Sequence, residues 1–266
     1  MSTCAVMLVR DEADIIEVTV SHLLSQVDEV IVTDHRSVDG TREILERLPV
    51  LLHRDDQLAA EQRKKITAKA KEALGRGHQW VVPCDADEIW LGPVRIADCL
   101  AGLDEKWMVA TSPIYNHVPT ENDPDDTNPV FRLRYRRTQP KGKHHVALKV
   151  ACRLRPDLKK ISFGNHSAHY KEVKHPPTVE MFQVRHFQFR SPEQTIRKVR
   201  NFHDGRLRGK DYYNDLNDEQ VLERFWYPLL AEEDLVFDPV YSAAQWSGFV
   251  ESEPGRELRS RGHLPG

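Results

Sequence analysis

The chain has 266 residues, of which 39% are apolar and 30% charged, and its formal net charge is −3. That is enough chain for one large domain with a substantial core, and the slightly negative balance argues against a generic binder of nucleic acid or membrane surfaces. No apolar run approaches the length of a membrane span. The cysteines Cys4, Cys84, Cys99 and Cys152 form no C-x-x-C pair, and Met1 leads into a strand-like run without the charged and apolar regions of a secretory signal. A reduced, cytoplasmic protein is the expectation.

Cys4 to Val9 reads as a buried strand ending in Arg10-Asp11-Glu12, with Asp11 placed to cap a helix whose apolar face is Ile16, Val20, Leu23 and Leu24. Val30-Ile31-Val32 belongs to a second strand that ends at Asp34, and residues 35–41 supply turn and cap chemistry before a helix carrying Ile44, Leu45 and Leu48. A third short strand covers Val50-Leu51-Leu52. A long helix is predicted from about Gln57 to Leu74, with Ala59, Ile66 and Ala70 on its buried face and Arg63 on the same face. A cation aimed at a sheet calls for an anionic partner, unless only its stem packs and its head reaches water.

The fourth strand, Trp80-Val81-Val82-Pro83, runs into Cys84-Asp85-Ala86-Asp87-Glu88. So uniformly apolar a run belongs in the interior, where unpaired carboxylates are very costly, so the acids must emerge at its carboxyl end. Ligands of open parallel sheets bind at that end. Alternation along an extended chain would point Asp85 and Asp87 to one side, toward a shared divalent cation. The competing reading is an acidic turn ahead of a helix near Pro93. Strands alternating with helices, each strand apolar throughout, predict an α/β fold with a mainly parallel sheet. Three of the strands end in acid (Asp11/Glu12, Asp34, Asp85/Asp87), which favours a ligand site along one edge.

Further on, Arg95 to Leu103 reads as a helix and Trp107 to Ser112 as a strand, followed by a loop from Pro119 to Pro129. Residues 131–160 are strongly basic. Alternation in Phe131 to Tyr135 and in Ala147 to Leu154 predicts a half-exposed hairpin, either a solvated basic face or a surface for an anionic partner. Met181 to Phe189 is a predicted strand containing His186, and Ser191-Pro192-Glu193-Gln194 is a helix start. Glu219 to Leu230 is a further helix around Trp226.

Taken together, Val6 to Glu12, Val30 to Thr41 and Trp80 to Trp90 resemble a family 2-like glycosyltransferase of the GT-A fold, a Rossmann-like sheet flanked by helices. The likeness is closest to a small bacterial branch in which D-x-D extends to D-x-D-E. His186-Phe187-Gln188-Phe189-Arg190-Ser191, with Glu193 and Lys198, is similar to that branch's C-terminal signature. Asp11 and Lys64 depart from it, each standing where Asn is usual, and the Q-x-x-R-W motif of processive members is absent.

The resemblance implies a glycosyltransferase domain over residues 1–190. Its nucleotide-sugar half extends to about 112, and its acceptor half spans about 113–190. A C-terminal helical extension over 191–249 and a flexible tail over 250–266 would follow. It implies a UDP- or GDP-sugar donor contacted by Val9, Arg10, Glu12, Asp34, Arg63 and Asp85, and Mn²⁺ or Mg²⁺ held by Asp85, Asp87 and His186. His186 read by itself is first a neutral histidine bonded to a backbone carbonyl at a strand edge, and its place before the helix start, in the signature-like segment, is what favours a ligand. The acceptor is not indicated, and transfer would be inverting and non-processive. Inversion needs a carboxylate base, for which Asp123, Asp125 and Asp126, beside Glu121, qualify by position. A nucleotidyltransferase would share the acidic edge but usually carries a glycine-rich loop after the first strand, and residues 10–14 contain no glycine. A non-catalytic binder of anionic polymer through residues 131–160 is the remaining reading, with nucleic acid disfavoured.

Overall fold

The computed structural model describes residues 1–57, 61–140, 147–204 and 216–240. Its first half comprises β1 (Thr3–Val9), α1 (Ile16–Gln26), β2 (Glu29–Asp34), α2 (Thr41–Leu45), β3 (Leu51–Arg54), α3 (Gln62–Gly75), β4 (Trp80–Pro83), β5 (Glu88–Leu91), α4 (Ile96–Ala101) and β6 (Val109–Val118). The second half comprises α5 (Pro129–Arg132), β7 (Tyr135–Arg137), β8 (Leu148–Arg153), β9 (Leu158–Ile161), β10 (Ala168–Tyr170), β11 (Thr178–Glu180), β12 (Gln183–His186), α6 (Pro192–Asp204), α7 (Asp218–Phe225), α8 (Tyr227–Leu230) and β13 (Leu235–Phe237).

The main sheet runs β13-β7-β6-β8-β4-β1-β2-β3, with β11 and β12 added in parallel to β6 and β5 joined through β12. β3, β2, β1 and β4 form a parallel block, and β8 follows β4 in antiparallel. Alternation on β1 explains its uniform composition. Ala5, Met7 and Val9 join Ile16, Val20 and Leu23 of α1 in one core, while Cys4 and Val6 join Ile66, Ala70 and Ala73 of α3 in the other. The α/β architecture with helices on both faces is the expected one, and a helical C-terminal segment follows it.

Register positions the functional edge. Val9 of β1 lies opposite Asp34 of β2, and Val6 lies opposite Pro83 of β4. The loops that follow all three strands therefore leave from the same side of the sheet.

Several local expectations are corrected. Asp11 does not cap α1, whose preceding residue Ile15 makes no side-chain cap bond; Asp11 instead has φ 54° and binds across the loops. α3 begins at Gln62, and Ala59 lies outside the described residues. The predicted hairpin does not form: Phe131 is in α5, and β7 and β8 each pair with β6 instead of with one another. Alternation identifies a strand's faces but not its partner. β8 is also largely buried, its basic position Lys149 included. The helix expected over 219–230 breaks at Trp226 into α7 and α8, since Pro228 cannot donate to a continuing ladder. The α6 start is as expected, with Ser191 Oγ accepting the Gln194 N–H at 3.1 Å. Lys141, Lys143, His144 and His145, and the tail from 241 onward, lie outside the described residues. Among the described residues no helix is long and apolar enough to cross a membrane.

Candidate active site

The loops after β1 and β2 are tied to each other. The Asp11 carboxylate accepts the Val38 N–H and the Asn201 side-chain amide of α6, both at 2.7 Å, and the Glu12 N–H donates to Thr41 Oγ1 at 2.8 Å. Asp34 is fully buried and accepts from Arg42 Nε at 2.8 Å and from the Ser37 N–H at 3.3 Å. Val9 is buried, with its carbonyl accepting the His35 N–H at 2.8 Å, while Arg10 is half-buried beside Asp11.

Asp85 and Asp87 lie in the turn between β4 and β5, not on an extended strand, so the alternation argument does not hold and their carboxylates enter separate clusters. Asp85 accepts from Gln62 Nε2 and Asn165 Nδ2, both at 3.0 Å, and pairs with Lys149 Nζ at 2.5 Å. The same ammonium is 2.5 Å from the fully buried Glu88. Glu88 also accepts the Asp85 N–H at 3.2 Å. Burial pushes the Glu88 carboxyl up to about 8 against the pull of Lys149. Asn165 sits in a short 3-10 turn with φ 60°, fully buried, and its amide oxygen has no partner among the described residues.

Asp87 enters the second cluster. Its Oδ2 is 2.5 Å from Lys198 Nζ of α6 and 3.4 Å from His186 Nε2 of β12. Lys198 also reaches Glu12 at 3.3 Å, and His186 Nδ1 meets Asn116 Oδ1 at 2.8 Å. His186 thus faces the side chains of Asn116 and Asp87. Arg190 lies beneath with its side chain fully buried, gripping Glu12 and Asp14. Burial alone would raise the Asp87 carboxyl, but Lys198 and His186 hold it well below the usual carboxylate range.

The remaining expected residues are dispersed. Arg63 is exposed: by spacing it shares the stripe of Ile66, Thr67 and Ala70, but it stands in the first turn of α3, and its neighbour Gln62 is the α3 residue that contacts an acid of the edge. In the loop after β6, Asp123 accepts from the Thr120 N–H at 2.7 Å, Asp126 accepts the Asn128 N–H at 2.8 Å, and Glu121 and Asp125 are exposed. Burial raises the Asp123 carboxyl. Gln62, Lys149 and Asn165 were not singled out from the sequence. No local pattern marks them, since each depends on a tertiary approach to Asp85. The polar Gln62 at the start of α3 was the faintest available sign.

Among the described residues of 131–160, four cations are held in ion pairs. Arg136 pairs with Asp238, Arg137 with Glu232, Arg155 with Asp157, and Lys149 with Asp85 and Glu88. Those four are not free to contribute to a basic face for an anionic polymer.

A divalent cation suits the second cluster. Asp87 Oδ2 and His186 Nε2 are 3.4 Å apart, close to the separation of adjacent ligands on one ion with bonds of about 2.1 Å. With Glu88 left out, since burial raises its carboxyl to about 8, the carboxylates of Glu12, Asp14, Asp85 and Asp87 outnumber the cations Lys149, Lys198 and Arg190 that pair with them. An accompanying cation would ease the docking of an anionic ligand here. Asp85, held by Lys149, lies outside this pair of ligands. Elsewhere among the described residues, Cys4, Glu29 and His78 bring ligand atoms within 4.8 Å of one another. There, however, Arg76 pairs with Glu29 and burial pushes the Cys4 thiol up to about 12, so an ion is disfavoured.

The sequence pattern of Glycosyl transferase family 2 matches residues 4–162, more than half of the chain. The chain belongs to this family. Its enzyme class is accordingly that of a glycosyltransferase, and the match covers β1 to β9 with Asp34, Asp85 and Asp87. His186, Arg190 and Lys198 lie beyond it. No curated protein sequence matches the chain. Similar solved structures include glucosyl-3-phosphoglycerate synthase from Mycobacterium tuberculosis in complex with Mn²⁺, UDP and phosphoglyceric acid, at 17% identity and TM-score 0.31, covering 42% of this chain and 43% of that one. Mannosyl-3-phosphoglycerate synthase from Rubrobacter xylanophilus matches at 18% identity and TM-score 0.32, covering 46% and 42%. A mycobacterial protein matches at 20% identity and TM-score 0.32, covering 43% and 41%. The matched region spans less than half the length of each of these structures.

Proposed function

We propose that this family 2 protein transfers a single sugar from a nucleoside diphosphate sugar, UDP- or GDP-linked, to an acceptor with inversion, using Mn²⁺ or Mg²⁺. The observation that carries this reading is the gathering of Glu12, Asp34, Asp85 and Asp87 at the carboxyl edge of one parallel block, in a family of glycosyltransferases. Val9, Arg10 and Asp34 border the place of the nucleoside. Asp87 and His186 would hold the ion, which when bound offsets charge on the departing diphosphate as a Lewis acid. Glu12 and Asp85 border the donor's ribose and phosphates. Arg63, exposed on the first turn of α3 beside Gln62, is available to an incoming phosphate.

Among Asp123, Asp125 and Asp126, the first is best supported as general base. It is half-buried, and burial raises its carboxyl, the direction that favours taking up a proton. The absence of Q-x-x-R-W supports one transfer per acceptor. Residues 1–190 would form the transferase domain, and 191–249 an extension that closes the site through α6.

The test is thermal stabilisation by UDP and GDP, each with and without Mn²⁺, followed by measurement of nucleotide release from the sugar donors. Stabilisation by one nucleotide only when metal is present is expected. If neither nucleotide stabilises the protein under either condition, the proposed donor site is wrong.

A further inference from the structure

Both acids of the D-x-D turn already have a lysine within 2.5 Å, but the two lysines are held very differently. Lys149 is almost wholly buried and is clamped equally, at 2.5 Å from both Asp85 and Glu88. Releasing it would strand a charge in the interior, which is prohibitive. Lys198 stands on α6 with 28% of its side chain exposed, and its hold is lopsided, at 2.5 Å from Asp87 and 3.3 Å from Glu12. It can turn off Asp87 toward the open side of the cluster, where an incoming anion would meet it, although until then it loses a partner there. The oxygen it occupies, Asp87 Oδ2, is also the one nearest His186 Nε2.

From this we infer that Lys198 is a resident counter-cation which competes with the divalent ion for Asp87 and yields only when the donor's diphosphate arrives to receive it. The inference rests on the donor-site reading above and adds a binding order to it. An ion arriving alone must displace an ammonium from a carboxylate and leave that ammonium facing the Arg190 guanidinium with one partner fewer. An ion arriving with a nucleoside diphosphate presents the released lysine with a new anion. The two ligands therefore help each other to bind, although neither needs a distant conformational change. Asn201, three residues further along α6, anchors the helix to Asp11 at 2.7 Å, so only the lysine side chain has to move.

The experiment compares wild type with Lys198→Met, which keeps the stem and removes the charge, and with Lys198→Gln as a second variant if the first folds poorly. Mn²⁺ binding is measured by calorimetry on the metal alone and on the metal with saturating UDP or GDP. Wild type should bind Mn²⁺ weakly alone and much more tightly with nucleotide. The variant should bind Mn²⁺ alone about tenfold tighter or more, since a unit charge a few ångströms away has been removed from a partly buried site. It should also lose most of the nucleotide-dependent gain. If the variant binds Mn²⁺ alone no tighter than wild type, while wild type still binds the metal with nucleotide, Lys198 does not compete and the inference fails alone. If no protein binds Mn²⁺ under either condition, the metal reading of the site fails and this inference falls with it.

Discussion

Arg190 holds Asp14 in a two-point fork, Nε to Oδ2 and Nη2 to Oδ1, both at 2.8 Å and across 176 residues of sequence. The same guanidinium reaches Glu12 and donates from Nη1 to the Phe187 carbonyl at 2.9 Å. With its side chain fully buried, it locks the segment after β12 onto the loop after β1. Arg190→Met should cost about 3–5 kcal/mol, because Glu12 and Asp14 would keep their charges without their main partner. Arg190→Lys should recover only part of this, since a point charge cannot reproduce the fork. Urea unfolding gives both values, and a loss under about 1 kcal/mol for Met would show that the fork is dispensable.

Asp87 links stability to acid pH. Its folded carboxyl lies well below the usual range, with Lys198 and His186 overcoming the effect of burial. A depressed folded value means that the stabilisation is present above the unfolded carboxylate's range and is lost as pH falls through that range toward the folded one. Asp87→Asn should therefore be less stable than wild type at pH 7, with the gap closing as the solution is acidified. It should also abolish metal-dependent nucleotide binding. A gap that widens on acidification would contradict the assignment.

Glu88 should act in the opposite direction. Burial raises its carboxyl from 4.5 to about 8, so folding takes up a proton between those values. Its contribution to stability is fully present below the unfolded value and is lost as pH rises through the folded one. Buried His22 and His117, pushed down to about 4 and about 3, slope the other way, but they are common to wild type and variant. The stability of Glu88→Gln relative to wild type should therefore climb from pH 5 to pH 8. Denaturant midpoints at three pH values decide it, and a constant difference would mean that Glu88 is ionised throughout.

How much of this was legible in the sequence depends on the range of the interaction. Val6 to Val9, Val30 to Val32 and Trp80 to Val82 announced themselves because a doubly buried strand must be apolar throughout, and the acids after them had to leave the core. The His186 and Ser191 segment was equally readable. The pairing of β7 and β8 was not, since alternation carries no information about partners. Arg63 has the spacing of the buried stripe of α3 but is exposed in the helix's first turn, because spacing assigns a face and not how far along the helix that face stays covered. Lys149 reads as part of a basic face because its carboxylate partners are distant in sequence, Asp85 by 64 residues, and lie toward the opposite end of β8's pairing with β4.

For the general base, Asp123→Asn should lower the transfer rate by about 10²–10⁴, the usual contribution of such a group, while leaving nucleotide affinity unchanged. Asp125→Asn, at an exposed position, should have little effect. If single-turnover rates show the reverse order, the base is Asp125.

Asn165 separates backbone strain from function. It is fully buried at φ 60°, a region costly to residues other than glycine, and asparagine tolerates it better than most. Its amide donates to Asp85 at 3.0 Å, beside Gln62, whose own carbonyl oxygen accepts the Gly164 N–H at 3.0 Å. The turn and the start of α3 thus each aim one amide at the same carboxylate. Asn165→Gly removes the amide but relieves the backbone, whereas Asn165→Ala removes the amide and keeps the strain. Alanine should therefore be less stable than glycine by about 1 kcal/mol, the cost of a left-handed non-glycine residue. Donor affinity should fall by a similar factor in both, because each leaves Asp85 without the same hydrogen bond. Equal stabilities would mean that the turn relaxes on substitution. Unchanged donor binding in both would show that Asp85 needs no help from Asn165 to hold its position.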